Sequence, residues 1–134
     1  MVRTTLSTPR RQFKKALREH PAKDIVVSYD RDSDELLVYF GRESAERPGV
    51  GRRVNAGLYL RVDRETGKPL GFQIENLLSV VVPKYPDMLV YLDFADLRGI
   101  TVEEVGELRR RYARERPQEF LSPYRGLLRT LAYA

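Results

Sequence analysis

The chain has 134 residues, of which 42% are hydrophobic and 32% charged, with a net charge of +5 and a pI near 9.6. This length is typical of one domain that buries enough apolar surface to fold without a disulfide or a structural metal. The lack of cysteine excludes disulfides, thiolate zinc sites and a cysteine nucleophile. With no long apolar run and no apolar signal core in residues 1–20, we expect a cytoplasmic protein with no membrane partner.

The first predicted element is a basic N-terminal helix within residues 1–23. Thr8 is a favourable cap, and Pro9 suits the first helical position. One apolar helical face is formed by Phe13, Ala16 and Leu17. We expect the helix to end at His20, because the residue before a proline avoids the helical region.

Residues 24–77 are predicted to form an antiparallel sheet. Residues 25–29 and 36–40 are rich in β-branched and aromatic side chains, and the polar residues 30–34 between them favour a turn. Residues 41–51 contain proline and three glycines and are predicted to be a loop.

A β-hairpin at residues 58–76 is the clearest element. Its alternating apolar residues are Leu58, Leu60, Val62, Leu70, Phe72 and Ile74. Between its strands, residues 63–68 favour a type I turn closed by a left-handed Gly67. By the same alternation Glu75 shares the other face with Gln73, and we expect it to form a surface pair, for example with Arg61 across the hairpin.

The remainder, residues 78–134, is predicted to be mainly helical. Residues 77–97 fit either a strand or a helix, and the helix is favoured. Thr101 and Glu104 form a capping box, followed by an apolar stripe of Val102, Val105, Leu108 and Tyr112. A last helix beginning at Ser122 carries Phe120, Tyr124, Leu127, Leu128 and Leu131. The prediction is one α+β domain: an antiparallel β-meander of about four strands with an N-terminal helix and two or three C-terminal helices.

Two stretches of this sheet carry a recognisable pattern. The first stretch is Ser28-Tyr29-Asp30, followed after three residues by Asp34 and then by the predicted strand of residues 36–40. A hairpin ending in Gly-x-x-Ile-Glu is formed by residues 60–63, Gly67 and residues 70–75. Over about residues 25–77 this pattern resembles the domain-of-unknown-function family 2283. The resemblance implies the meander fold and a protein-binding role, and it carries over no catalytic residue because the family has no established activity.

The residues that bear possible chemistry favour structural roles. Asp30, Asp32 and Asp34 match the first three ligands of a calcium-binding EF-hand loop, but Glu35 replaces its glycine and Gly41 its final glutamate. The segment is therefore interpreted as a turn, and whether it binds a cation stays open. His20 is the one histidine, and its place at a helix end suits the helix dipole better than catalysis.

Positive charge is concentrated near the N-terminus, where residues 1–23 hold seven Lys and Arg against one Glu. Candidate nucleic-acid or anion contacts are Arg10, Arg11, Lys14, Lys15, Arg18, Arg52 and Arg53. A second basic patch, residues 109–114, is interleaved with glutamates and is explained by ion pairs within its helix. No helix-turn-helix, zinc-finger or RNA-binding motif accompanies either patch.

These observations favour a non-enzymatic protein-interaction module without a cofactor, and we expect a homodimer formed through the sheet or the C-terminal helices. A basic nucleic-acid-binding protein that uses the N-terminal helix is the alternative. A third interpretation, a small hydrolase, requires a pocket that gathers Asp30, Asp34 or Glu75.

Overall fold

A computed structural model describes residues 8–19 and 25–115. Helix α1 spans Pro9–Glu19, and its core-facing residues Phe13, Ala16 and Leu17 are buried as predicted. The Thr8 cap is confirmed, because its hydroxyl accepts a hydrogen bond from the Arg11 amide at 3.2 Å. The predicted helix end at His20 and the last helix from Ser122 lie outside the described residues.

In the described residues, the centre of the fold is a six-stranded mixed sheet in the order β3-β4-β5-β2-β1-β6. The strands are β1 (Val26–Asp30), β2 (Glu35–Tyr39), β3 (Gly49–Asn55), β4 (Leu58–Asp63), β5 (Pro69–Glu75) and β6 (Ala95–Arg98). All neighbours are antiparallel except β1 and β6, which are parallel. The α+β class and the mostly antiparallel sheet are confirmed.

Two strands were missed in the sequence. Residues 41–51 are not a simple loop: they contain the short helix α2 (Arg42–Glu46) and the start of β3. Within the segment for which a helix was favoured, Ala95–Arg98 forms β6. Both strands lie at the ends of the described strand order. β3 has no clear alternating pattern, and β6 alternates over only four residues, too few to distinguish it from a helix.

The hairpin prediction is confirmed in its main features. Gly67 adopts a left-handed conformation with φ 74°, and its amide donates to the Asp63 carbonyl at 2.8 Å. The suggested pair of Glu75 with Arg61 is wrong. Glu75 lies opposite Glu35 of β2, whereas Arg61 lies opposite Gly71, four residues before Glu75 in β5. The Glu75 amide donates instead to the Gly57 carbonyl, which precedes β4.

One face of the sheet carries the hydrophobic core. The Phe72 ring lies 5.4 Å from the ring of Phe13 on α1 and 5.8 Å from that of Tyr91. Because α1 and the segment around Tyr91 both pack on Phe72, this side chain joins the two parts of the helical layer. On the opposite face, alternate side chains such as Tyr39 and Tyr59 are half-buried.

The chain between β5 and β6 is helical in three short pieces. A π-helical turn (Leu77–Val81) leads into α3 (Val82–Lys84), and a 3₁₀ helix (Pro86–Asp93) follows. The helix favoured for this region is therefore confirmed up to Asp93. The 3₁₀ helix supplies much of the core, since Met88, Leu89, Tyr91 and Leu92 are almost completely buried.

Helix α4 (Val102–Glu115) completes the described fold. The capping box is confirmed: the Glu104 amide donates to the Thr101 hydroxyl at 3.1 Å, and the Thr101 amide donates to the Glu104 carboxylate at 3.2 Å. Val105 and Tyr112 are buried as the apolar stripe predicted, but Val102 is 75% exposed. The Val102 side chain, in the first turn of α4, therefore does not pack against the core.

Candidate functional site

The most connected polar cluster is centred on Asp34, at the end of the β1–β2 turn. Its Oδ1 accepts hydrogen bonds from the Tyr29 hydroxyl at 2.5 Å and the Leu78 amide at 2.8 Å. Its Oδ2 accepts from the Ser79 amide at 3.0 Å and the Ser79 hydroxyl at 2.7 Å. A single carboxylate thus satisfies amides at the start of the π-helical turn, where a helix has no internal acceptors.

These contacts explain the shifted pKa values in the cluster. Burial acts to raise the pKa of Asp34, but the hydrogen bonds from Tyr29, Leu78 and Ser79 outweigh it and hold this pKa below its usual value. Burial, together with donation to Asp34, raises the pKa of the Tyr29 hydroxyl. Both carboxylate oxygens of Asp34 already accept hydrogen bonds, so the cluster has a structural role: it connects the β1–β2 turn to the π-helical turn.

The acidic turn uses its carboxylates internally. The Asp32 amide donates to the Asp30 side chain at 2.9 Å, as in a turn stabilised by its own aspartate. Among residues 8–19 and 25–115 no group of three potential ligands is close enough to hold a metal ion.

Two of the three carboxylates of the hydrolase interpretation, Asp30 of β1 and Glu75 of β5, each lie opposite Glu35 of the strand between them. Asp30 lines a hollow of about 320 Å³ beside Glu35 and Arg98, and neither Asp34 nor Glu75 lines it. Asp34 instead faces the start of the π-helical turn.

A second structural carboxylate, Asp63, lies at the start of the β4–β5 turn and is 4% exposed. It accepts a 2.5 Å hydrogen bond from Arg47 Nε and others from the amides of Glu65 and Thr66. The hydrogen bond from Arg47 is the main reason that its pKa lies below the usual value.

Helix α1 presents a continuous basic surface. Its exposed cations are Arg11, Lys14, Lys15 and Arg18, which we call the basic face. Arg10 borders it and is half-buried. Lys15 lies 3.8 Å from Glu19, and no other member of the basic face pairs with a carboxylate in the part of the chain that is described. The structure thus keeps these four cations on one side of the helix.

Arg52 and Arg53, both candidate anion contacts, lie on opposite faces of the sheet. Successive residues of a strand point to opposite faces of the sheet. Arg52 lies on the face of α1 and donates to the Gln12 side chain at 2.5 Å, whereas Arg53 lies on the other face beside Tyr59. Only Arg52 is therefore on the side of the basic face.

In the basic patch of α4, residues 109–114, two arginines form ion pairs. Arg111 is 3.8 Å from Glu115, an i,i+4 pair of the kind predicted. Arg109 pairs with Asp93 at the end of the 3₁₀ helix, a tertiary contact that the sequence pattern did not indicate.

An apolar surface at the β6 edge was also missed. Phe94 is 61% exposed and Val102 is 75% exposed, the two highest values among the large apolar side chains described. A groove of about 200 Å³ between β6 and α4 is lined in part by Ala95, Leu97 and Val102. We call Phe94, Ala95, Leu97 and Val102 the β6 surface.

Gly106 lines the same groove from the middle of α4. A glycine inside a helix costs about 1 kcal/mol relative to alanine. A Cβ at this position would meet only the end of the Arg110 side chain, at 3.4 Å, so close backbone packing does not require the glycine.

A larger groove of about 520 Å³ lies between α4 and the 77–84 segment. Its floor includes Leu78, Val82 and Tyr112, and Arg31 and Glu104 form a 3.6 Å ion pair at its rim. Its rim carries both signs of charge, so its electrostatics select no class of ligand.

No helix in the described part of the chain is both long and apolar enough to cross a membrane. Comparisons with family models, with curated proteins and with solved structures found no match. The resemblance to family 2283 therefore stays a prediction that rests on the residues quoted for it.

Proposed function

We propose that this protein is a non-enzymatic protein-interaction module that binds through the β6 surface. The observation that supports this proposal is the position of Phe94 and Val102. Phe94 directly precedes β6, a strand at the end of the described sheet, and Val102 lines the groove between β6 and α4. Exposed apolar side chains that are grouped beside a sheet edge are typical of protein-binding surfaces.

The polar clusters support a non-enzymatic role. The carboxylates with lowered pKa values, Asp34 and Asp63, both accept several hydrogen bonds that hold turns in place. A catalytic carboxylate would need an oxygen directed toward a substrate.

Site-specific photo-crosslinking tests the proposal. A photoreactive phenylalanine at position 94 should give adducts above the mass of the chain in a lysate of the source cells, and Val102→Asp should abolish them. The matched control places the same group at Val50, an apolar residue 41% exposed on β3 at the opposite end of the sheet. Absence of any adduct from position 94, or equal adducts from position 50, would rule out the β6 surface as a binding site.

Nucleic-acid binding by the basic face is the second candidate function. The observation that favours it is the alignment of four exposed cations on one side of α1, of which only Lys15 has a described ion-pair partner. Such a stripe can neutralise successive phosphates, and its affinity falls steeply with salt.

Fluorescence anisotropy with labelled 20-mer DNA and RNA tests this second function at 50 and 200 mM salt. Replacing Arg11, Lys14, Lys15 and Arg18 with glutamine should abolish the low-salt signal. The control variant replaces four other exposed cations, Arg42, Arg64, Lys68 and Arg110. No binding by the wild-type protein at 50 mM salt, or equal losses in both variants, would exclude a specific role for the basic face.

A further inference from the structure

The outer edge of β6 offers backbone groups in a defined pattern. The Arg98 carbonyl accepts a hydrogen bond from the Arg31 amide at 2.9 Å, so the backbone of Arg98 points toward β1. Because consecutive residues of a strand point their backbone groups to opposite sides, those of Leu97 point away from β1. No described strand lies on that side of β6.

We propose that a second copy of the chain pairs with this edge, β6 against β6 in antiparallel orientation, with Leu97 on the twofold axis. This inference rests on the proposed function and names its partner. A twofold interface uses the same patch on both subunits. Leu97 and Leu97 of the partner subunit then form a hydrogen-bonded pair and exchange two main-chain hydrogen bonds.

Charge complementarity selects this register. It places Asp96 opposite Arg98 of the partner subunit, and by symmetry Arg98 opposite the partner's Asp96. Both side chains are exposed in the single chain. The two pairs are of the non-hydrogen-bonded kind, in which facing side chains approach most closely, so opposite charges there are favourable.

The same register covers exposed apolar surface. Phe94 of one copy lies near the segment of the other that leads into α4, which begins at Val102 of the partner subunit. The pairing therefore removes part of the exposed Phe94 side chain from water, twice per dimer.

The opposite edge of the described sheet does not have this self-complementarity. Antiparallel pairing of two β3 strands about their midpoint would place Arg52 opposite the partner's Arg52. Like charges directly opposite each other destabilise a strand pair. The β6 edge is thus the better match for a second copy.

Two charge-reversal variants test the inference on the purified full-length protein by sedimentation velocity. The wild-type protein should sediment at twice the 15.6 kDa chain mass. Asp96→Arg and Arg98→Asp each create two like-charge pairs, so each should raise the dimer dissociation constant by about tenfold or more. An equimolar mixture should recover the dimer, because a heterodimer of the two variants has opposite charges at both pairs.

Matched controls carry the same charge changes on α2, as Glu43→Arg and Arg42→Asp, and both should remain dimeric. Arg98→Asp places a carboxylate near Asp30 and Glu35, which line the same hollow, so its folding is checked by circular dichroism. If the Arg98→Asp variant does not fold, the Arg98→Gln variant replaces it. Mixing Arg98→Gln with Asp96→Arg should still give heterodimers, because Arg98 of one chain then faces Asp96 of the other.

A monomeric wild-type protein, dimers that both reversals leave intact, or a mixture that stays monomeric would each overturn the inference. The outcomes separate it from the proposed function. Suppose that position 94 crosslinks to a protein of another mass and that the purified chain is a monomer. This result would support the interaction module and exclude the homodimer.

Discussion

The Tyr29 hydroxyl donates a 2.5 Å hydrogen bond to the carboxylate of Asp34, five residues later in the chain. Asp34 adopts a left-handed conformation with φ 55°, which directs its side chain toward the amides of Leu78 and Ser79. One tyrosine–aspartate pair thereby joins the β1–β2 hairpin to the helical segment after β5. These two residues belong to the pattern that resembles family 2283, and in this chain their contacts are structural.

Replacing Asp34 with asparagine should lower the free energy of unfolding at pH 7 by about 1–3 kcal/mol, because part of the buried hydrogen bonding is lost. The pKa of Asp34 is lower in the folded chain than in the unfolded chain. Its stabilising contribution is therefore complete above the unfolded value and is lost as the pH falls through the folded value.

Urea unfolding at pH 7 and at pH 3 measures this effect, and the difference between wild type and Asp34→Asn should narrow at pH 3. Asp32→Asn in the same turn is the control and should change stability little, because its side chain is exposed. A difference that does not depend on pH would contradict the role assigned to the carboxylate.

Gly71→Ala should prevent folding or lower stability by roughly 3 kcal/mol or more. A Cβ at Gly71 would lie 2.0 Å from the Val38 carbonyl oxygen of the neighbouring strand, and backbone cannot move aside easily. Gly51 is the matched control, since a Cβ there would meet only ordinary contacts with Tyr59 at 3.7 Å. Thermal unfolding compares the two, and equal melting temperatures would show that β2 and β5 approach less closely.

Gly106→Ala should stabilise the chain by up to about 1 kcal/mol, because alanine has the higher helix propensity and the added methyl group has room. The reciprocal change Ala113→Gly, at an exposed position of the same helix, should destabilise by a similar amount. Chemical denaturation gives both values. A destabilising Gly106→Ala would mean that the groove wall at α4 is tighter than the contacts indicate.

Asp63→Asn should loosen the β4–β5 turn, because the Arg47 ion pair and part of the hydrogen bonding to the turn are lost. The pKa of Asp63 is also lowered in the folded chain. The free energy of unfolding by which the wild type exceeds Asp63→Asn should therefore decrease as the pH falls below about 4. The rate of tryptic cleavage after Arg64 reports on the turn. Glu46→Gln, at an exposed position, should leave that rate unchanged.

Local elements were predictable where short-range chemistry decides them. Thr8, Gly67 and the Thr101–Glu104 box act within a few residues of themselves, and all are confirmed. The short strand β6 is different, because its four residues alternate over too short a stretch to be distinguished from the helix before them. Its pairing with β1 depends on a crossover of many residues, which no local pattern records.

The candidate site divides in the same way. Helical spacing in the sequence already placed the cations of the basic face together on α1. The separation of Arg52 from Arg53 follows from strand alternation, but it became visible only once residues 49–55 were known to form β3. The periodicity along α4 groups Val102 with Val105 and Tyr112, but it does not show which turns of the helix pack against the core. The exposure of Val102 was therefore not predictable from it.

By itself, then, the sequence determined the α+β class, the central hairpin, the caps and the basic helix, because each depends on contacts between residues close in the chain. Only the tertiary structure decided that Asp34 joins the sheet to the helical layer, that β6 lies beside β1, and that Phe94 and Val102 are exposed. These features depend on contacts between distant segments, whose geometry is set by packing around Phe72 and the rest of the core.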